Sequence, residues 1–219
     1  MTSRPSPPGW VGGRLGEATT TLLLRHGQTE LSTERRFAGR ADIPLTKEGV
    51  RQAGLAARRL AGAGIDLIIS SPLRRARRTA EAVADASGAP MTICDEFAEA
   101  DFGAWEGLSF AEAGEKWPDE LAAWLASPDA SPPDGESFAM VALRVMAGLE
   151  RLLADYRHKK VVVVSHVTPI KTLVCRALLA PPEAMFRINL EVASLCHVDW
   201  YDNGSAVLRS LNDVGHLQE

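Results

Sequence analysis

The stretch "TTTLLLRHGQTE", residues 19–30, runs from threonines and leucines straight into Arg25-His26-Gly27. A short apolar run of this kind reads as a buried strand. A buried strand that ends in a guanidinium and an imidazole delivers both, rigidly, to one edge of a sheet. Two later runs end the same way. "DLIIS" (66–70) leads into Ser71-Pro72-Leu73-Arg74-Arg75, and "KVVVVS" (160–165) leads into His166.

Between these strands the apolar period changes to that of helices. One helix is expected from an N-cap at Thr46 through Val50, Ala53, Leu55, Ala57 and Leu60, and a second from about Leu73 to Ala86. A short strand near Met91–Ile93 follows. A long amphipathic helix from Ser137 carries Phe138, Val141, Val145, Leu149 and Leu152 at three- and four-residue spacing. Another helix is expected around Ile170–Leu179. "ASLCHVDWY" and "AVLRSLN" flank Asp202-Asn203-Gly204, which reads as a hairpin. Alternation of continuously apolar strands with helices predicts an α/β fold. It is a three-layer α/β/α arrangement with a mainly parallel sheet and the hairpin antiparallel at an edge. Residues 1–18, rich in Pro and Gly, read as a flexible leader or linker. Residues 19–219 read as one domain, with an irregular Trp- and Pro-containing stretch at about 97–136.

Composition narrows the function classes. The 219 residues carry 24 Lys+Arg against 28 Asp+Glu, a net charge of −4, so the broad basic field expected of nucleic-acid binding is absent. No apolar run reaches the length of a membrane span, and residues 1–18 lack the apolar core of a signal peptide. Three widely spaced cysteines, Cys94, Cys175 and Cys196, fit a reduced cytoplasmic chain better than a disulfide framework or a zinc site.

Parallel strands open their binding crevice beyond their carboxyl ends. Arg25, His26, Arg75 and His166 are therefore expected in one crevice. Such a cluster calls for an anion, and guanidiniums suit the oxygens of phosphate. A neutral imidazole among them is a competent nucleophile toward phosphorus. His158, His197 and His216 read as surface or edge-strand residues, and Arg74, Arg77 and Arg78 as a solvated helix face.

Five segments, in order, resemble the histidine phosphatase superfamily, in its phosphoglycerate-mutase-like branch, over about residues 20–211. They are "LLLRHGQTE", "GRADIPLTKEGVRQA", "SPLRRARRTAEAV", "EADFGAWEG" and "VVVVSHV". The resemblance implies that His26 becomes a phosphohistidine while Arg25, Arg75 and His166 hold the phosphoryl oxygens. It also implies that Glu99 protonates the leaving oxygen and then acts as base for water, with Asp101 and Glu106 as alternative acids. A proton donor for a poor leaving group and charge neutralisation are what phosphoryl transfer needs. Ser32 stands where the family usually has Asn, and Val167 where Gly is common. Both are carried over as phosphate contacts, Val167 through its backbone N–H.

No metal or other cofactor is implied, because Arg25 and Arg75 would repel a cation. The implied partner is a small phosphomonoester, with no nucleic acid and no membrane. The resemblance makes 19–219 the catalytic domain and 97–136 its cap, which has a single basic residue, Lys116, among many carboxylates and aromatic residues (Trp105, Phe110, Trp117, Trp124, with Phe138 just beyond). That disfavours bisphosphates and a mutase, and favours monoesters with a neutral or apolar body. Most of these aromatic rings are expected in the core. The look is that of α-ribazole phosphatases and acid phosphatases, including members fused to ribonuclease H. A mutase-like phosphotransferase and a non-catalytic phosphate-binding module are the alternatives.

Overall fold

The computed structural model describes residues 16–218. The expectation of a leader at 1–18 thus falls mostly outside the described residues, and the first strand already begins at Ala18. In chain order the elements are β1 (Ala18–Arg25), α1 (Glu30–Thr33), α2 (Lys47–Leu60), β2 (Leu67–Ser70), α3 (Arg74–Ser87) and β3 (Met91–Ile93). They continue with α4 (Phe110–Lys116), α5 (Pro118–Ala126), α6 (Phe138–Asp155), β4 (Lys160–Ser165), α7 (Val167–Leu178), β5 (Leu195–Tyr201) and β6 (Ala206–Asp213). Short 3₁₀ turns occupy Asp95–Phe97, Gly103–Trp105, Pro182–Arg187 and Gly215–Leu217.

The six strands form one sheet in the order β3-β2-β4-β1-β5-β6. The first four are parallel, whereas β5 runs antiparallel to β1 and β6 antiparallel to β5. Successive strand residues alternate faces. Leu23, Ile69, Val161 and Val163 pack with α6 and α7 (Val145, Leu149, Ile170, Leu173), and Leu24, Ile68, Val162 and Val164 pack with α2 and α3 (Ala56, Leu60, Ala76, Val83). Covering both faces is why these strands read as unbroken apolar runs.

Helix starts follow local chemistry. The Thr46 and Ser137 hydroxyls accept N–H bonds from Gly49 and Met140, capping α2 and α6. Helices α4, α5 and α7 depart from the sequence expectation. The stretch 97–136, read as irregular, contains α4 and α5, the first started by a Ser109/Glu112 capping box and the second by Pro118 at its first turn. The helix expected around Ile170–Leu179 starts earlier, at Val167, with Pro169 inside its first turn. Proline is tolerated there because first-turn N–H groups have no partner within the helix. Among the described residues, no helix is long and apolar enough to cross a membrane.

Candidate active site

Strand register brings the polar ends together. Arg25 lies opposite Ser165, and Val164 opposite Ser70, so β1, β4 and β2 finish at one level. The His26 N–H donates to the Ser165 carbonyl and the Ser71 N–H to the Val164 carbonyl, which extends the ladder past the strands. The two imidazoles consequently face each other with ring centroids 5.0 Å apart. Gly27 lets the chain leave this edge beside α2: a Cβ there would stand 2.4 Å from the Gly49 carbonyl oxygen.

His26 is 4% exposed, and its Nδ1 lies 2.7 Å from the Gly27 carbonyl oxygen. A carbonyl accepts only, so Nδ1 carries the proton and Nε2 keeps its lone pair. His166, fully buried, has Nε2 2.6 Å from the Ser71 Oγ. The Ser71 hydroxyl has no acceptor other than Nε2 among the described residues, so its proton donates there and the imidazole proton is assigned to Nδ1. Burial, followed by the Arg75 charge, pushes both histidines well below their usual range, so both rings are neutral.

Arg75 is fully buried. Its Nη1–H donates to the Ala41 carbonyl at 2.8 Å, and Nη2 donates to Ala38 at 2.9 Å and Gly39 at 2.7 Å. Arg25 donates through Nη1 to the Leu190 carbonyl, and burial lowers its pKa to about 10. Three buried donors of this cluster have no protein partner: Arg25 Nε, Arg75 Nε and His166 Nδ1. Such groups are rare and costly without an acceptor. An oxyanion seated among them would supply one.

Glu99 lies on the segment after the Asp95–Phe97 turn, which Arg144 holds through the carbonyls of Glu96, Ala98 and Glu99. The carboxyl is buried at 4% exposure. Its Oε1 accepts the Ala100 N–H at 2.8 Å and the Thr168 N–H, in the first turn of α7, at 3.2 Å. The other two carboxylates considered as acids are engaged elsewhere. Glu106 accepts the Gly39 and Ala41 N–H groups and so braces the loop whose carbonyls hold Arg75. Asp101 accepts the Gly103 N–H.

A cavity of about 270 Å³ opens on this cluster, lined by Arg25, His26, Ser32, Glu99 and Val167 among others. The Ser32 hydroxyl is engaged with Thr29 on both sides, donating to its carbonyl and accepting its N–H. Val167 lies at the start of α7, where backbone N–H groups point outward from the helix end. Arg75 and His166, both fully buried, are not among the lining residues. Of the aromatic rings, Phe110, Trp124 and Phe138 form the wall, joined by Phe37, Phe102 and Phe186. Trp105 is instead core, 0% exposed. A larger groove of about 770 Å³, between α6, α7 and the β5–β6 hairpin, lies away from these groups.

Sequence reading gave no individual role to Ser71, Lys171 or the 38–41 loop. Ser71 adjoins the expected Arg75 segment, and Lys171 follows Val167 by one helical turn; those offsets were the available signals. Among the described residues no cluster of His, Cys, Asp and Glu could hold a metal ion.

Residues 21–214 match the histidine phosphatase superfamily, branch 1. The chain is 46% identical over 217 residues to the bifunctional protein Rv2228c of Mycobacterium tuberculosis, a match covering 99% of this chain and 59% of that protein. It thus spans less than two thirds of that relative's length. Identity is 37% over 205 residues to the "Probable phosphoglycerate mutase GpmB" of Proteus mirabilis, covering 90% and 94% of the two chains. The crystal structure of the alpha-ribazole phosphatase from Shigella flexneri superposes with a TM-score of 0.81 at 29% identity, over 89% of this chain and 96% of that one.

Proposed function

The chain belongs to the histidine phosphatase superfamily, and we propose that within it this protein hydrolyses phosphomonoesters through a phosphohistidine on His26. The observation that carries the reading is the set of unpaired buried donors, Arg25 Nε, Arg75 Nε and His166 Nδ1, gathered near an imidazole whose Nε2 is free. In the first step the His26 Nε2 lone pair attacks phosphorus as the ester P–O bond breaks. Glu99, as a carboxylic acid, gives its proton to the departing oxygen. The donors of Arg25, Arg75 and His166 hold the three equatorial oxygens, whose charge must be neutralised throughout transfer. In the second step the Glu99 carboxylate takes a proton from water. The oxygen of that water attacks the phosphohistidine, releasing inorganic phosphate and neutral His26.

Hydrolysis is favoured over mutase chemistry, whose bisphosphate intermediate needs several cations over the site, because the segment 97–136 offers only Lys116, and its ammonium lies over the Trp117 ring, 5.9 Å from the centroid. Free thiols at Cys94, Cys175 and Cys196 support a cytoplasmic setting. A second activity joined to this unit, expected from the resemblance to be a ribonuclease H, belongs to the same proposal. Its support is the mycobacterial relative, described as bifunctional and longer than this chain.

The test is hydrolysis of p-nitrophenyl phosphate in EDTA, expected to proceed best below pH 7. His26→Ala should abolish it while retaining the native circular dichroism spectrum. Rapid quenching should trap an acid-labile, alkali-stable phosphoenzyme in the unmodified protein only. Strict dependence on a divalent ion, or turnover by the alanine variant, would refute the reading.

A further inference from the structure

The mechanism above leaves two cations of the cavity, Arg36 and Lys171, without a role. Lys171 lies on α7 one turn beyond Val167 and lines the cavity with Glu99 and Phe186. Its side chain is half-buried. Among the described residues it has no hydrogen-bond acceptor and no carboxylate within ion-pair distance; its only electrostatic neighbours of note are Glu99, Arg25 and the Cys175 thiol. Arg36, on the same lining, is different: Glu34, Glu112 and the Gly107 carbonyl occupy its guanidinium. A partly desolvated ammonium with no hydrogen-bonded counter-charge is a cost that a bound anion removes.

Arg25 and Arg75 hold the unpaired donors around His26 and so serve the phosphate, whereas Lys171 lines the cavity with no hydrogen-bond acceptor of its own among the described residues. The organic body of the ester meets the lining that Lys171 shares with the aromatic rings.

We propose that Lys171 is a specificity-determining residue that binds an anionic substituent, a carboxylate, on the body of the phosphomonoester, so that the preferred substrates are phosphorylated acids. The proposal rests on the phosphomonoester-hydrolase reading above. Phe110, Trp124, Phe138 and Phe186 pack against the carbon skeleton between the two anionic groups. The expectation of a neutral body came from counting cations in 97–136 alone, whereas this one is supplied by α7.

A matched pair of esters tests the proposal: meta-carboxyphenyl phosphate and its neutral isostere meta-carbamoylphenyl phosphate. The unmodified protein should prefer the carboxylate in kcat/KM by about 10-fold or more, the scale of one charge-assisted hydrogen bond. In Lys171→Met, and independently in Lys171→Gln, that ratio should fall to within about twofold of one, and Lys171→Arg should restore most of it. Hydrolysis of both esters without a preference, or a preference that survives in both the Met and Gln variants, overturns the role of Lys171 alone. Hydrolysis of neither ester by the unmodified protein overturns the phosphatase reading and this proposal with it.

Discussion

Replacing Glu99 by glutamine isolates the proton from everything else the carboxyl does. In the structure both short backbone bonds, from the Ala100 and Thr168 N–H groups, converge on Oε1; Oε2 has only a 3.4 Å contact with Thr168. A glutamine with its carbonyl oxygen at the Oε1 position keeps both bonds, so Glu99→Gln should cost stability about 1 kcal/mol or less. What is lost is the transferable proton, a group of the kind that contributes about 10²–10⁴ in rate. The loss should depend on the leaving group. An alkoxide leaving from n-propyl phosphate needs that proton, and kcat/KM should fall by the full factor. p-Nitrophenolate leaves as an anion, and its kcat/KM should fall by about 10-fold or less. The difference between the two losses, about 10²-fold, corresponds to roughly 2.7 kcal/mol at the transition state. Initial rates on both esters supply the ratio, and kcat/KM is the quantity to compare because it reports only steps up to the first irreversible one. The second step also loses its base, so the variant should show a burst of p-nitrophenolate near one equivalent per enzyme, followed by slow turnover. Equal slowing of kcat/KM for both esters would refute Glu99 as the acid and direct attention to Asp101 and Glu106.

Arg75→Met should behave oppositely, losing both esters alike by about 30- to 900-fold, for roughly 2–4 kcal/mol of charge stabilisation. It should also lower the urea midpoint, because the Ala38, Gly39 and Ala41 carbonyls lose their donors; a loss under about threefold in a folded variant would refute the phosphate role. Stability should depend on pH through the two imidazoles, which are held well below their usual value in the folded state and are free to titrate near pH 6.5 when unfolded. The unfolded chain therefore binds more protons as pH drops through about 6.5, and unfolding free energy should decline below that point by up to about 1.4 kcal/mol per pH unit for each ring. Urea unfolding between pH 7.5 and pH 5.5 measures the slope, His26→Ala should reduce it by about half, and a protein that gains stability on acidification would contradict the assignment of neutral rings.

The strands and most helices were legible in the sequence because their causes are local. Val161–Val164 and Leu22–Leu24 are apolar on both faces, Thr46 and Ser137 cap the helices they begin, and Asn203-Gly204 turns the hairpin. The gathering of His26, Arg75 and His166 was also legible, since parallel strands must end at one edge. The helices α4 and α5 were not. At seven and nine residues they are short, and their apolar residues divide between the cavity wall and the core rather than lining one sheet face, so no regular period marks them. The early start of α7 was hidden by Pro169, which signals a helix break except in a first turn.

What the sequence by itself determined is the order of elements and the chemical identity of the groups at the strand ends, because propensity, capping and period act over a few residues. What only the tertiary structure decided is the state and surroundings of those groups. The proton position on His166 depends on Ser71 from another strand end. The orientation of Arg75 depends on three carbonyls of a loop that Glu106 braces. The neutrality of both imidazoles follows from burial beside Arg75, and the unanswered charge of Lys171 from the partners the other cations find across the fold. Desolvation, hydrogen-bond partnership and net charge at a point are sums over everything nearby in space, and residues far apart along the chain supply most of the sum.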